Sequence, residues 1–233
     1  MNKVSSVKEI TNNLEKISGK VLYLFDIDNT IITTKSNFGP NIDKLKEVKK
    51  NHNDQSQIEN LISQWRLSRE VILTDNEWPH LLKTIEKPYA LTKMDVGRFG
   101  EIPSMENWRN NELATLGIKF SPICPIDGEI YTEPEEIGVD NSTFFNGIFY
   151  TGNALKGDVV KKILTSHNYD SVVFVDDRPD QLEDVGGACE KLGVKYLPMQ
   201  FIIEKQDYPI QSLAESESEK KIIDFLELHS HIS

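Results

Sequence analysis

The chain has 233 residues, 38% of them hydrophobic, a formal net charge of −11 and a sequence pI near 5.0. That length supports one substantial core, and an acidic chain with no basic stripe argues against nucleic-acid binding. There is no run of roughly 18 apolar residues to mark a membrane span, so no integral membrane association is expected, and Cys124 and Cys189 imply no disulfide framework.

Along Met1 to Lys20, Val4, Val7, Ile10, Leu14 and Ile17 recur at helical spacing and predict an amphipathic helix docked on the body. The segment is polar and lacks the apolar stretch of a secretory signal, so it reads as cytoplasmic, or exported without a cleavable signal peptide. Next comes Val21-Leu22-Tyr23-Leu24-Phe25-Asp26-Ile27-Asp28-Asn29-Thr30. Its apolar part predicts a buried parallel strand over 21–27, ending in two carboxylates. An insertion over about 34–73 is helical by pattern, through Ile58, Leu61, Ile62, Trp65 and Leu67, and is expected to form a small cap. Trp65 reads as core, and Lys44 to Lys50 as a solvated helix face.

Thr74-Asp75-Asn76-Glu77 reads as a helix N-terminus, leading into a helix near Trp78 to Glu86 and a strand over Pro88 to Thr92. A loop with Gly97, Gly100 and Pro103 precedes a helix near Met105 to Leu116. The region 118–152 is expected to be an irregular excursion with a β-hairpin, including an aromatic strand from Phe144 to Tyr150. Helix 156–166, strand 171–175, helix 180–192 and strand 195–199 follow. Gln206 to Ser218 reads as a linker, and a C-terminal helix over about 213–230 carries Ile222, Ile223, Phe225, Leu226 and Leu228. The alternation predicts one α/β domain whose parallel sheet has right-handed crossovers, with a core of about 18–33 and 74–205.

Asp26 and Asp28 fall at the carboxyl end of a strand, where open α/β sheets place their ligands. Two unit charges about 4 Å apart repel by roughly 4 kcal/mol at an effective dielectric near 20, so a cation is expected beside them. Val172-Val173-Phe174-Val175-Asp176-Asp177 repeats the design downstream. Two such strand ends suit Mg2+, which takes one or two carboxylates, waters and phosphate oxygens. Thr92, after a strand, and Lys156, at a helix start, suit a phosphoryl group as hydroxyl donor and compact cation. Neither cysteine is followed six residues later by Arg, since Ile130 and Lys195 stand there, so a cysteine-phosphatase loop is absent. A Walker-type phosphate loop is absent as well, and His229 and His231 read as a frayed tail.

The order Asp-x-Asp-x-Thr, Thr, Lys, Asp-Asp resembles the four motifs of the haloacid dehalogenase (HAD) superfamily. The motifs are carried by Asp26-Ile27-Asp28-Asn29-Thr30, Ala90-Leu91-Thr92, Lys156-Gly157 and Val175-Asp176-Asp177. Thr74 competes with Thr92 for the second motif, and Thr92 is preferred because Thr74 opens a helix. The stretch Asn146 to Leu197, with Asn111 to Ile118, is similar to a group of uncharacterised bacterial HAD-like proteins related to acid phosphatases. Lys93-Met94-Asp95 departs from that group's Ala-Arg-Gly-like turn.

The resemblance implies a Rossmann-like HAD fold, a central parallel sheet flanked by helices with a small helical cap insertion. It also implies a Mg2+-dependent phosphatase hydrolysing phosphate monoesters. Asp26 would be the nucleophile and Asp28 the acid and base. Thr92 and Lys156 would bind phosphate. Asp26, the backbone carbonyl of Asp28, and Asp176 would hold the metal, with Asp177 tuning its outer shell or orienting Lys156. The expected partner is a phosphorylated substrate, a small ester or, given a cap too short to enclose a metabolite, a phosphoprotein such as a phosphotyrosine substrate. The alternatives are a phosphotransferase or mutase with the same nucleophile, and a catalytically silent interaction protein.

Overall fold

Val172, Val173, Phe174 and Val175 are consecutive and each is fully buried, the pattern of a strand covered on both faces. This strand is β9 (Ser171–Asp176) in a computed structural model of the chain, which describes residues 2–36, 38, 42, 44–48, 55–203 and 216–229. It belongs to an eight-stranded sheet with β1 (Asn2–Val4), β2 (Val21–Phe25), β5 (Pro88–Thr92), β6 (Glu135–Glu136), β7 (Thr143–Phe145), β8 (Ile148–Tyr150) and β10 (Lys195–Phe201). The strand order is β1-β10-β9-β2-β5-β8-β7-β6. Pairing is parallel from β1 through β8 and antiparallel from β8 to β6. A separate two-stranded ribbon joins β3 (Ile32–Thr34) and β4 (Val71–Leu73).

Helices flank the sheet. Leu22 and Leu24 of β2, Tyr89 and Leu91 of β5, and Val172 and Phe174 of β9 alternate onto one face. There they pack with Val159, Val160 and Ile163 of α5 (Lys156–Ser166) and Leu182, Val185 and Cys189 of α6 (Pro179–Leu192). Elsewhere in the core, Trp78 of α3 (Trp78–Thr84) sets its ring 5.8 Å from Phe25 and 5.7 Å from Phe201. The expected elements from α3 through β10 agree with these to within about two residues, except the aromatic strand of the excursion.

Two expectations are corrected. The N-terminal segment is not one helix: residues 2–4 form β1, with Val4 opposite Phe201, and α1 spans only Val7–Leu14. Ser6 is extended and its side chain accepts from the Glu9 amide, so the helix starts after it. The Val4 carbonyl is taken by Ile202 N at 2.8 Å, a partner that a helix would forgo. Phe144 to Tyr150 is likewise not one strand. Asn146 and Gly147 have φ of +48° and +82°, a two-residue reversal that turns β7 back on β8 with Phe145 opposite Ile148.

The chain divides into two compact units. The first, Met1–Thr33, Leu73–Val96 and Glu106–Glu204, holds the sheet. The second comprises Thr34–Ile72, Gly97–Met105 and Lys205–Ser233, so the expected insertion shares its unit with a loop and the C-terminal helix. In that second unit α2 (Gln55–Ser68) packs on α7 (Glu217–His229), and Ser68 Oγ lies 2.7 Å from Ser218 Oγ. Ile58, Ile62, Trp65, Ile222 and Phe225 are buried there, while Leu67 is exposed. Trp65 is core, with the Phe38 ring at 6.5 Å. The linker expected from Gln206 lies outside the described residues up to residue 215, as do Lys49, Lys50 and His231.

Candidate functional site

Parallel strands in register bring their carboxyl ends to one edge. Phe25 of β2 pairs with Val175 of β9 on one side and with Ala90 of β5 on the other. Asp26 and Asp176 therefore stand one residue beyond a paired position, and Thr92 two residues beyond another. The Asp26 amide donates to the Val175 carbonyl at 2.8 Å, which carries the ladder into the acidic turn. The turn itself is tight. Asn29 sits at φ +60° and donates its amide to the Ile32 carbonyl at 2.7 Å. Asn tolerates that left-handed conformation better than other side chains with a β-carbon.

Lys156 is the first residue of α5 and is buried. Its Nζ donates to Asp26 Oδ1 at 2.6 Å and to Asp176 Oδ2 at 2.7 Å, and lies 5.1 Å from the Phe174 ring. Gly157 lets the helix start this close to α6. Its amide donates to Asp184 Oδ2 at 2.7 Å, and a Cβ there would lie 2.6 Å from the Asp184 carbonyl oxygen. Asp176 is pinned further by the Arg178 amide, which donates to its Oδ1 at 2.8 Å.

Asp26, Asp176 and Asp177 each present a carboxylate oxygen, and these atoms lie within 4.8 Å of one another. Three acids face one ammonium, so ionising all of them leaves excess negative charge. Burial pushes the Asp26 carboxyl up to about 7; Lys156 opposes the shift and Asp176 adds to it. Burial, and then the Asp26 charge, push Asp177 up to about 6. Asp176 is also raised by burial, against Lys156. Burial alone would lower Lys156, but Asp26 and Asp176 hold it above its ordinary value. A divalent cation would remove this imbalance, and an all-oxygen donor set suits a hard ion of the Mg2+ kind.

The Asp28 carboxylate turns elsewhere. Its Oδ2 accepts from Arg109 Nη2 at 2.6 Å, and its side chain is 45% exposed. Arg109, on α4 (Met105–Thr115), is almost wholly buried and also gives Nη1 to Glu112 Oε2 at 2.6 Å. Thr92 is buried at the end of β5, its carbonyl accepting the Thr151 amide at 3.0 Å. Thr74 belongs to the scaffold: its hydroxyl donates to the Thr30 and Ile31 carbonyls and accepts from Trp78 Nε1 at 2.9 Å.

The family described as "Protein of unknown function (DUF2608)" matches residues 3–233. The chain belongs to DUF2608. No curated protein and no solved structure matches it.

Within this DUF2608 chain, Lys156 joins Asp26 to Asp176, and Thr92 ends the strand beside β2. Asp177, expected to tune the metal's outer shell or to orient Lys156, presents a carboxylate oxygen in the three-acid cluster, and the Asp28 carboxylate, expected as the acid and base, accepts from Arg109 outside it. The one local sequence signal of Arg109 is its i, i+3 pair with Glu112, while its partner Asp28 lies 81 positions away. Thr151 adds a buried hydroxyl with no hydrogen-bond partner among the described residues, beside Thr92. No helix among the described residues is long and apolar enough to cross a membrane.

Proposed function

We propose that this DUF2608 protein is a HAD-type phosphatase that hydrolyses phosphate monoesters through an aspartyl-phosphate at Asp26. The observation that carries the reading is buried Lys156 bridging the buried acids Asp26 and Asp176 at adjacent ends of parallel strands, with half-buried Asp177 beside them and Asp28 two residues from the nucleophile. An Asp oxygen attacks phosphorus, and the bond from phosphorus to the ester oxygen breaks. Asp28 gives a proton to the departing oxygen. It then takes a proton from water, whose oxygen attacks phosphorus and breaks the bond to Asp26, releasing phosphate and restoring the carboxylate. Lys156 holds Asp26 in place and neutralises charge on the transferred group, while Thr92 supplies a hydroxyl donor.

Mg2+ held by Asp26, Asp176, Asp177 and the Asp28 carbonyl would add Lewis-acid stabilisation of the phosphoryl oxygens. The exposed Asp28 side chain supports access by esters carried on larger molecules, phosphotyrosine proteins included. The test is hydrolysis of p-nitrophenyl phosphate with Mg2+ and with EDTA. Wild type turns over only with Mg2+, and Asp26→Asn loses at least about 1,000-fold in kcat, as expected for a lost nucleophile. Turnover that survives Asp26→Asn would sink the assigned nucleophile.

A further inference from the structure

An acid that protonates a leaving group must be held within hydrogen-bond reach of it, and misplacement by about 1 Å costs on the order of 100-fold. Asp28 sits just past the end of β2 with a side chain nearly half exposed, so the strand alone leaves its carboxylate several rotamers. Arg109 restrains it. The guanidinium is 2% exposed and splits its fork: Nη2 to Asp28 Oδ2 and Nη1 to Glu112 Oε2, each at 2.6 Å, with the Trp108 ring 5.0 Å away. Glu112 thus orients the fork from within the same helix, and Arg109 passes that orientation across to β2.

The helix is fixed in turn by the hairpin. Asn110 Nδ2 donates to the Glu106 carbonyl at 2.9 Å and to Tyr150 Oη at 2.8 Å. Tyr150 Oη donates to the Glu106 carbonyl at 3.2 Å, and Thr143 Oγ1 to Glu106 Oε1 at 3.2 Å. Tyr150 is fully buried on β8, which pairs with β5, itself the neighbour of β2. A chain of contacts therefore runs from the hairpin through α4 to the Asp28 carboxylate. A surface ion pair would explain none of this, because Arg109, Glu106 and Tyr150 are all buried.

We propose that Arg109 is a positioning residue that aims Asp28 at the leaving-group oxygen, with the β7–β8 hairpin as its anchor. The inference rests on the phosphatase reading above. Its consequence is selective: a nitrophenolate departs with little protonation, whereas an alkoxide needs the proton. Arg109→Ala, and Arg109→Lys, which keeps the charge but not the fork, are assayed on p-nitrophenyl phosphate and on glycerol 2-phosphate. Tyr150→Phe, which leaves every charge in place, is run beside them, and rates are compared for the variants whose circular dichroism matches wild type.

Arg109→Ala lowers kcat/KM, which reports departure of the leaving group and not the water attack common to both substrates, by about 100-fold or more on the alkyl ester, within the range for general acid catalysis, and by about tenfold or less on the aryl ester. KM changes little. In an Asp28→Asn background the substitution adds almost nothing. Tyr150→Phe shows the same bias on a smaller scale. Equal losses of kcat/KM on both esters, a raised KM with kcat intact, or additive losses with Asp28→Asn would each overturn the positioning role. Failure of wild type to hydrolyse either ester would instead remove the phosphatase reading on which it rests.

Discussion

Asp26, Asp176, Asp177 and Lys156 compete for a single charge balance, and pH acts on it with a definite sign. Asp26 titrates near 7 and Asp177 near 6 in the folded chain, against about 3.9 for an Asp in an unfolded one. Both are raised, so the folded state holds protons that the unfolded state releases. Their contribution to stability is fully present below about pH 4 and is lost as pH rises through 6 to 7. A divalent cation must displace those protons to bind at low pH. Thermal melts of wild type with Mg2+ and with EDTA should therefore show a larger Mg2+-induced rise in Tm near pH 8 than near pH 5. An increment independent of pH would mean that these acids do not take up the metal.

Helices and strands carried the legible part of the structure, and close approaches between them carried the rest. Val159, Val160, Ile163 and Leu164 define α5 by local periodicity, and β2 and β9 announce themselves because an apolar run stops at an acid. Thus Asp26 and Asp176 are singled out by their own neighbours in sequence, and Lys156 by its place in the order of the motifs. Arg109 is not, because its partner is set by the packing of α4. β1 is too short, at three residues, to display a period, and its existence depends on the open edge of β10. Aromatic residues on both sides of Asn146-Gly147 masked a reversal that the Asn-Gly pair itself encodes. Adjacent strand residues point to opposite faces, and Asp176 and Asp177 present oxygens to one point because β9 ends at Asp176 and the chain leaves the ladder there.

The contact of α5 with α6 gives a direct handle on this level. Gly157→Ala would set a methyl 2.6 Å from the Asp184 carbonyl oxygen and 2.8 Å from its Oδ1. Overpacking of this kind costs about 1–3 kcal/mol, and it shifts the helix start that carries Lys156. Urea unfolding should show that loss, together with reduced phosphatase turnover. Stability within about 0.5 kcal/mol of wild type, the range of an ordinary surface substitution, would show that the helix start does not depend on this contact.

For the molecule as a whole, a charge of −11 repels an anionic ester rather than drawing it in. Under the phosphatase reading, capture falls to the sheet edge, where Lys156, the Thr92 hydroxyl and a cation on the acids would favour phosphate. The two compact units divide the labour of folding: the sheet unit carries every residue of the proposed chemistry, from Asp26 to Asp177, and the second unit contributes its own α2–α7 core. An aspartyl-phosphate at residue 26 is what separates this chemistry from hydrolysis by a directly activated water. Borohydride reduces an acyl phosphate to the alcohol and so converts the phosphorylated aspartate to homoserine. Wild type quenched with borohydride during turnover of p-nitrophenyl phosphate, then digested and read by peptide mass, should carry homoserine at position 26 only when substrate and Mg2+ are both present. Homoserine at another acid, or none at all while phosphate is still being released, would contradict a nucleophilic Asp26.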